Sequence, residues 1–164
     1  MKNLYLIRHG KSSWDDSSLP DKERPLKRRG EKDASLMAKL LVNRKIVPDA
    51  FVSSPANRAL STAKIMAEKM GFDKKEIAVN ALLYFQGMEN ILQVIHQLNE
   101  RHNTVFIFGH NPDFTELANR YSQKTIDNVP TTGVAGIEFK VKSWKDVSLK
   151  NGRLIFFEYP SNHK

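Results

Sequence analysis

Four residues that could act together on one anion stand far apart in the chain: Arg8 and His9, then Arg58, then His110. An arginine presents a planar fork of permanently charged donors that matches phosphate oxygens in a bidentate manner, and two forks neutralise a dianion. An imidazole that is neutral near physiological pH can attack phosphorus in line. A second imidazole can donate a hydrogen bond to an equatorial oxygen as charge shifts. The chemistry such a set would do is phosphoryl transfer, with no metal and no cofactor required. Taken singly, each residue has an ordinary explanation. A histidine after a strand is commonly a satisfied structural residue, Arg58 fits a helix surface, and Gly109-His110-Asn111-Pro112 fits a turn with an N-cap.

What would bring them together is a parallel sheet. The runs Leu4 to Ile7, Phe51 to Val52 and Val105 to Phe108 are short, branched or aromatic, and not alternating, which predicts strands buried on both faces. Between them Ala34, Met37, Ala38 and Leu41 recur at helical spacing, as do Ala59, Ala63, Met66, Ala67 and Met70, and Ile91, Val94, Ile95 and Leu98. Ser54-Pro55 and Asn111-Pro112 each place a capping side chain before a proline, which predicts helix openings there and a fourth helix after Asn111. Ile137, Phe139 and Val141 alternate with Glu138 and Lys140, and Asn151-Gly152 is a hairpin-turn signal before Leu154 to Tyr159. The expectation is an α/β fold of three layers: a mostly parallel central sheet, helices on both faces and an antiparallel C-terminal edge. In such a sheet ligands bind at the carboxyl ends of the strands, and Arg8-His9-Gly10, Ser53 to Arg58 and Gly109 to Pro112 all follow predicted strands. Ser12 to Lys27 is the longest tract without periodicity, and a long loop in a compact domain is often functional.

The 164 residues suit one domain spanning 1–164, with 40% hydrophobic and 27% charged residues arguing against disorder. The absence of cysteine excludes a disulfide scaffold and thiol redox chemistry, and is compatible with a cytoplasmic protein. The opening apolar run breaks at Arg8, too soon for a signal peptide, and no later run approaches a membrane span, so a soluble protein is expected. A formal charge of +8 favours an anionic partner: a phosphorylated small molecule, a phosphoprotein or, less readily, nucleic acid. Nothing in the sequence fixes an oligomeric state; a monomer suffices.

Leu6-Ile7-Arg8-His9-Gly10, Ser53-Ser54-Pro55 with Arg58-Ala59 and Thr62-Ala63, and Gly109-His110-Asn111-Pro112 together resemble the histidine phosphatase superfamily of phosphoglycerate mutase-like proteins. The short chain, Arg24-Pro25-Leu26 with Arg29-Gly30, and Pro130-Thr131-Thr132-Gly133 resemble its small SixA-like phosphohistidine-phosphatase branch. The resemblance implies that His9 takes the phosphoryl group, that Arg8, Arg58 and His110 bind it, and that water then hydrolyses the phosphohistidine intermediate. Arg8 to Asp15 also resembles the opening motif of phosphoglycerate mutases, which carry asparagine where Asp15 stands. A carboxylate there would repel a phosphate dianion, so Asp15 receives no phosphate-binding role.

Larger relatives use a glutamate after a middle strand as general acid, and the carboxylate in the matching stretch is Glu89. Early in a helix Glu89 equally complements the helix dipole. Without an acid, alkyl phosphates would turn over slowly and phosphohistidine, whose protonated imidazole leaves readily, would suffer least. Lys22, Arg24, Lys27, Arg28, Arg29 and Lys32 form a basic stretch that either steers an anionic phosphoprotein or is a solvated helix start. Trp14, Tyr84 and Phe85 could line the pocket mouth, while His96 and His102 stand alone and receive no role. Two other functions compete: a phosphate- or phosphoprotein-binding module without turnover, and a mutase-like phosphotransferase. Retention of a histidine between the arginines argues against the first, and the short chain against the second. Nucleic-acid binding rests on net charge alone, with no recognition motif.

Overall fold

The computed structural model describes residues 1–164. Alternation along two neighbouring strands sets the layers. In β1 (Lys2–Arg8), Leu4 and Leu6 face one side of the sheet while Tyr5 and Ile7 face the other. In β4 (Thr104–Gly109), Val105 and Ile107 oppose Phe106 and Phe108 in the same way. With both faces apolar, each must be covered by helices. Helices α1 (Arg28–Asn43) and α2 (Asn57–Met70) pack over Tyr5, Ile7, Phe106 and Phe108 through Met37, Leu41 and Met66. Helices α3 (Met88–His96) and α4 (Asp113–Tyr121) cover the opposite face with Ile91, Ile95, Phe114 and Leu117. Each fully buried side chain of this size stabilises the fold by about 1.5–3 kcal/mol.

The other strands are β2 (Ala50–Ser53), β3 (Ala78–Val79), β5 (Val134–Phe139) and β6 (Gly152–Glu158). The sheet order is β3-β2-β4-β1-β5-β6. Pairings from β3 to β1 are parallel and the last two are antiparallel. The expected α/β architecture with its antiparallel C-terminal edge is thus present. The chain leaves β1 toward the α1 face and leaves β4 toward the α4 face, so a topological switch point falls between these adjacent strands. Their register pairs Arg8 with Gly109, which sets His9 beside His110. No helix is long and apolar enough to cross a membrane.

Three local expectations are corrected. Helix α2 opens at Asn57 rather than at Ser54-Pro55: the Ser54 hydroxyl is engaged with the ring of His110, and the one backbone amide it accepts from is Ala56 N, ahead of the helix. Helix α4 opens at Asp113, although Asn111 Oδ1 does accept from Thr115 N inside its first turn. Asn151-Gly152 is no tight hairpin: residues 140–151 connect β5 to β6 and seat Trp144 in the core. Asn151 instead shapes the end of that connection, accepting from Ser148 N and donating to Asp146 O.

Candidate active site

A cavity of about 450 Å³ at the carboxyl ends of the strands is walled by Arg8, His9 and Arg58, joined by Lys11, Arg24 and Asp21. His110 lies just behind this wall, its ring centroid 5.2 Å from that of His9. It is 1% exposed, with the ring of Phe85 tilted against it at 4.4 Å and that of Tyr84 edge-on at 5.3 Å. Phe85 packs there with φ at +56°, in the left-handed region that non-glycine residues seldom occupy. The four residues singled out from sequence are therefore brought together, three on the cavity surface and one beneath an aromatic cover.

Backbone pairing fixes His9. Its amide donates to Gly109 O at 3.1 Å, and Thr132 N donates to the carbonyls of Arg8 and His9. His9 Nδ1 lies 2.7 Å from Gly10 O. A carbonyl only accepts, so Nδ1 carries the proton and the lone pair sits on Nε2. Burial lowers the His9 pKa to about 4; the hydrogen bond to Gly10 O opposes the shift, and Arg58, Arg8 and Arg24 add to it. Burial also lowers His110 to about 3, with His9 and Arg58 contributing. Both imidazoles are neutral at physiological pH, as a nitrogen nucleophile must be.

Glycines allow the loop after β1 to lie against α1. A Cβ on Gly10 would approach Gly30 O to 3.1 Å, and one on Gly30 would approach Lys11 N to 2.9 Å and the Lys11 carbonyl more closely still. This close approach is the physical content of Arg29-Gly30 at the start of α1. Thr62 completes the joint, accepting from Gly10 N and donating to Arg58 O from within α2.

The aperiodic tract from Ser12 to Lys27 folds over the cavity and is tied down by cations. Arg24, 6% exposed, donates to Ser13 O, Ser12 Oγ and Asp21 Oδ1, and its guanidinium stacks on Trp14. Arg58 donates to Asp21 O at 2.8 Å and to Asp21 Oδ2 at 2.9 Å, while Tyr84 Oη donates to Oδ2 at 2.6 Å. Burial works to raise the Asp21 pKa, but the Tyr84 and Arg58 hydrogen bonds and the Arg58 charge prevail and hold it at about 2. Arg8 is less constrained: Nη1 donates to Val129 O, and burial followed by the Arg58 charge lowers its pKa.

In the whole chain, three buried side-chain polar atoms lack a hydrogen-bond partner: Arg8 Nε, His110 Nδ1 and Thr132 Oγ1. Arg8 lines the cavity and His110 lies behind its wall, while Thr132 is tied to Arg8 and His9 through its backbone amide. A buried unpaired donor costs about 1–3 kcal/mol, so their clustering fits a place built to meet a polar ligand. A neutral Nε2, two converging guanidiniums and a third in Arg24 can hold an oxyanion and attack its central atom.

Glu89 is not part of this arrangement. It is exposed in the first turn of α3 and forms no part of the cavity wall. His96 binds Val147 O and is structural. Sequence reasoning missed Asp21, which carries no local signal, and Ser54 as the partner of His110. Arg24 was visible in the basic stretch, but only its burial separates it from its exposed neighbours.

Comparison with known proteins bears on the family and the fold. The family described as Histidine phosphatase superfamily (branch 1) matches residues 4–83. An uncharacterised chloroplastic protein of Arabidopsis thaliana is 31% identical over 159 residues, covering 92% of this chain and 72% of that protein. Phosphoglycerate mutase 1 of Saccharomyces cerevisiae is 35% identical over 82 residues, covering 49% of this chain and 32% of the mutase. The protein histidine phosphatase SixA complexed with tungstate superposes with a TM-score of 0.84 at 22% identity, covering 99% of each chain. A proposed phosphohistidine phosphatase SixA from Agrobacterium tumefaciens gives 0.81 at 26% identity over 97% of this chain and 98% of that one. The family match over residues 4–83, the Arabidopsis relative and the shared fold lead to one conclusion: the chain belongs to the histidine phosphatase superfamily, and its fold is that of the SixA-like members.

Proposed function

We propose that residues 1–164 act as one cytoplasmic, metal-independent phosphatase domain in which His9 Nε2 accepts a phosphoryl group and passes it to water. The observation that carries the reading is the His9 ring itself, whose Nδ1–H is committed to Gly10 O in a wall shared with Arg8 and Arg58. In the first step the Nε2–P bond forms as the bond from phosphorus to the leaving group breaks. In the second, water oxygen bonds phosphorus and the Nε2–P bond breaks, releasing phosphate. Arg8 and Arg58 neutralise the transferring group, and His110 Nδ1, which bears the proton when Ser54 donates to Nε2, supplies a further hydrogen bond.

Leaving-group chemistry narrows the substrate. Glu89 stands off the cavity, and Asp21, held at about 2, is ionised at neutral pH. With no protonated carboxylate at hand, alkyl phosphates forgo a contribution of about 10² to 10⁴ in rate. A phosphohistidine side chain of another protein, whose imidazole departs already protonated, forgoes little. The assigned substrate is therefore a phosphohistidine protein, with small phosphomonoesters second.

Rapid acid-free quenching after mixing with a phosphodonor is expected to trap a base-stable, acid-labile phosphoryl group on His9. His9→Ala is expected to lose both the trapped group and turnover; persisting turnover in that variant refutes the mechanism. Activity that survives chelation supports the assignment of charge neutralisation to guanidiniums, and loss restored by added metal overturns it. The partial match to a phosphoglycerate mutase favours one other reading, transfer between two positions of a phosphorylated acid. Transfer of label from the trapped enzyme to such an acceptor, in place of release to water, would establish it.

A further inference from the structure

The catalytic cavity does not end at its own rim. A second cavity of about 370 Å³ shares Arg8, Lys11 and Thr131 with it and adds Arg29. A third shares Arg29 and Asp33 with the second and adds Arg28, Lys32 and Lys164. A fourth shares Lys32 and Leu36 with the third and extends to Lys39, Val42 and Lys69. Through these shared residues four adjoining cavities line up as a trough from His9 along α1 toward its C-terminal end.

The trough is strongly one-signed. Arg28, Arg29, Lys32, Lys39 and Lys69 are exposed along it. Its two carboxylates are already paired: Asp21 with Arg58 and Arg24, and Asp33, only 5% exposed, with Lys164 at 2.9 Å and Arg29 at 3.9 Å. Glu31 belongs to the same helix but lines none of the four cavities. Apolar footholds alternate with the cations, in Trp14 at 71% exposure, Leu36 and Val42. At 1.5 Å per residue, Arg28 to Val42 spans roughly 21 Å, far beyond the reach of a small phosphorylated metabolite bound at His9. A cationic face of that length with interspersed apolar contacts complements an acidic amphipathic protein surface.

We propose that the outer face of α1 is a docking surface for an acidic protein, which lays a Glu/Asp-rich segment along Arg28, Lys32 and Lys39 and presents its phosphoryl group to His9. What the docked protein delivers rests on the phosphatase reading; the docking itself does not. Charge complementarity fixes the partner's sign, and continuity with the catalytic cavity fixes why it docks there. Exposed lysines each contribute only a few-fold to affinity, so the surface acts through their number.

The test separates the two readings. A fluorescent, unphosphorylated Glu-rich peptide with a few leucines is titrated into the full chain, while phosphoimidazole turnover is measured in parallel. Binding is expected at about 20 mM salt and is expected to weaken steeply by about 200 mM, where the screening length shortens. Lys32→Glu with Lys39→Glu is expected to weaken peptide binding roughly tenfold, with phosphoimidazole turnover unchanged. Glutamate is a good helix former at both exposed sites, and a circular dichroism melt confirms that the variant folds. Amide resonances shifted by the peptide should map to α1. Failure of the peptide to bind, or binding untouched by the double variant, overturns the proposal. Tighter, variant-sensitive binding of an RNA hairpin or an anionic vesicle overturns it too. Absent phosphoimidazole turnover in the wild type would count against the phosphatase reading alone, and the peptide titration would still decide whether α1 docks an acidic chain.

Discussion

Replacing Asp21 by asparagine should tighten the binding of phosphate-like anions. The Asp21 carboxylate already occupies the face of Arg58 that an incoming oxyanion would use, at 2.9 Å, and shares Arg24 at 3.1 Å. Asparagine keeps a carbonyl oxygen for Tyr84 and Arg58 but removes the charge, and Arg58 Nη1 stays anchored on the Asp21 backbone carbonyl. Two unit charges about 4 Å apart repel by roughly 4 kcal/mol at an effective dielectric constant near 20. The Asp21 side chain is 46% exposed and shielded by two guanidiniums, so about a third of that is realised. The expectation is a Kd for inorganic phosphate or tungstate lowered by roughly tenfold, since 1.4 kcal/mol is a factor of ten. Isothermal titration of each anion into wild type and Asp21→Asn checks it, with phosphoimidazole turnover showing whether release of product phosphate slows in step. Weaker anion binding in the variant would refute the reasoning. It would mean that the carboxylate holds Arg58 in its binding pose rather than competing for it.

Nuclear magnetic resonance titration of the ligand-free protein should place His9 near pH 4 and His110 near 3, and a midpoint around 6.5 for either would contradict their burial among arginines. The sign for stability follows: the unfolded chain takes up these protons first, so the fold loses stability as pH falls from about 6.5 toward 4, read as a lower urea midpoint at pH 5 than at 7. Gly30→Ala gains helix propensity but drives a methyl into the Lys11 backbone, and a net loss of roughly 1–2 kcal/mol with reduced turnover is expected by thermal melt and assay. Glu89→Gln should leave kcat within about twofold on phosphoimidazole and alkyl phosphate alike; a drop near 10² on the alkyl ester alone would restore Glu89 as the general acid.

The sequence by itself determined the layers, because two-faced apolar strands at Leu4–Ile7 and Val105–Phe108 and the helical spacing of Ala34 to Leu41 each report a local burial pattern. It also determined which residue types stood after those strands, hence Arg8, His9, Arg58 and His110. Capping and turn signals misled where a side chain had a tertiary use: Ser54 serves His110 rather than a helix end, and Asn151 closes a long connection rather than a tight turn. Only the tertiary structure decided that His110 lies under Phe85, that His9 keeps its lone pair on Nε2, and that Asp21 sits on Arg58. These facts depend on contacts such as the 37-residue separation between Asp21 and Arg58 and the 63-residue one between Asp21 and Tyr84, which no local period records. The basic stretch shows the same division: composition revealed its charge, while the fold buried Arg24 in the cavity wall and left Arg28 and Lys32 exposed beside it.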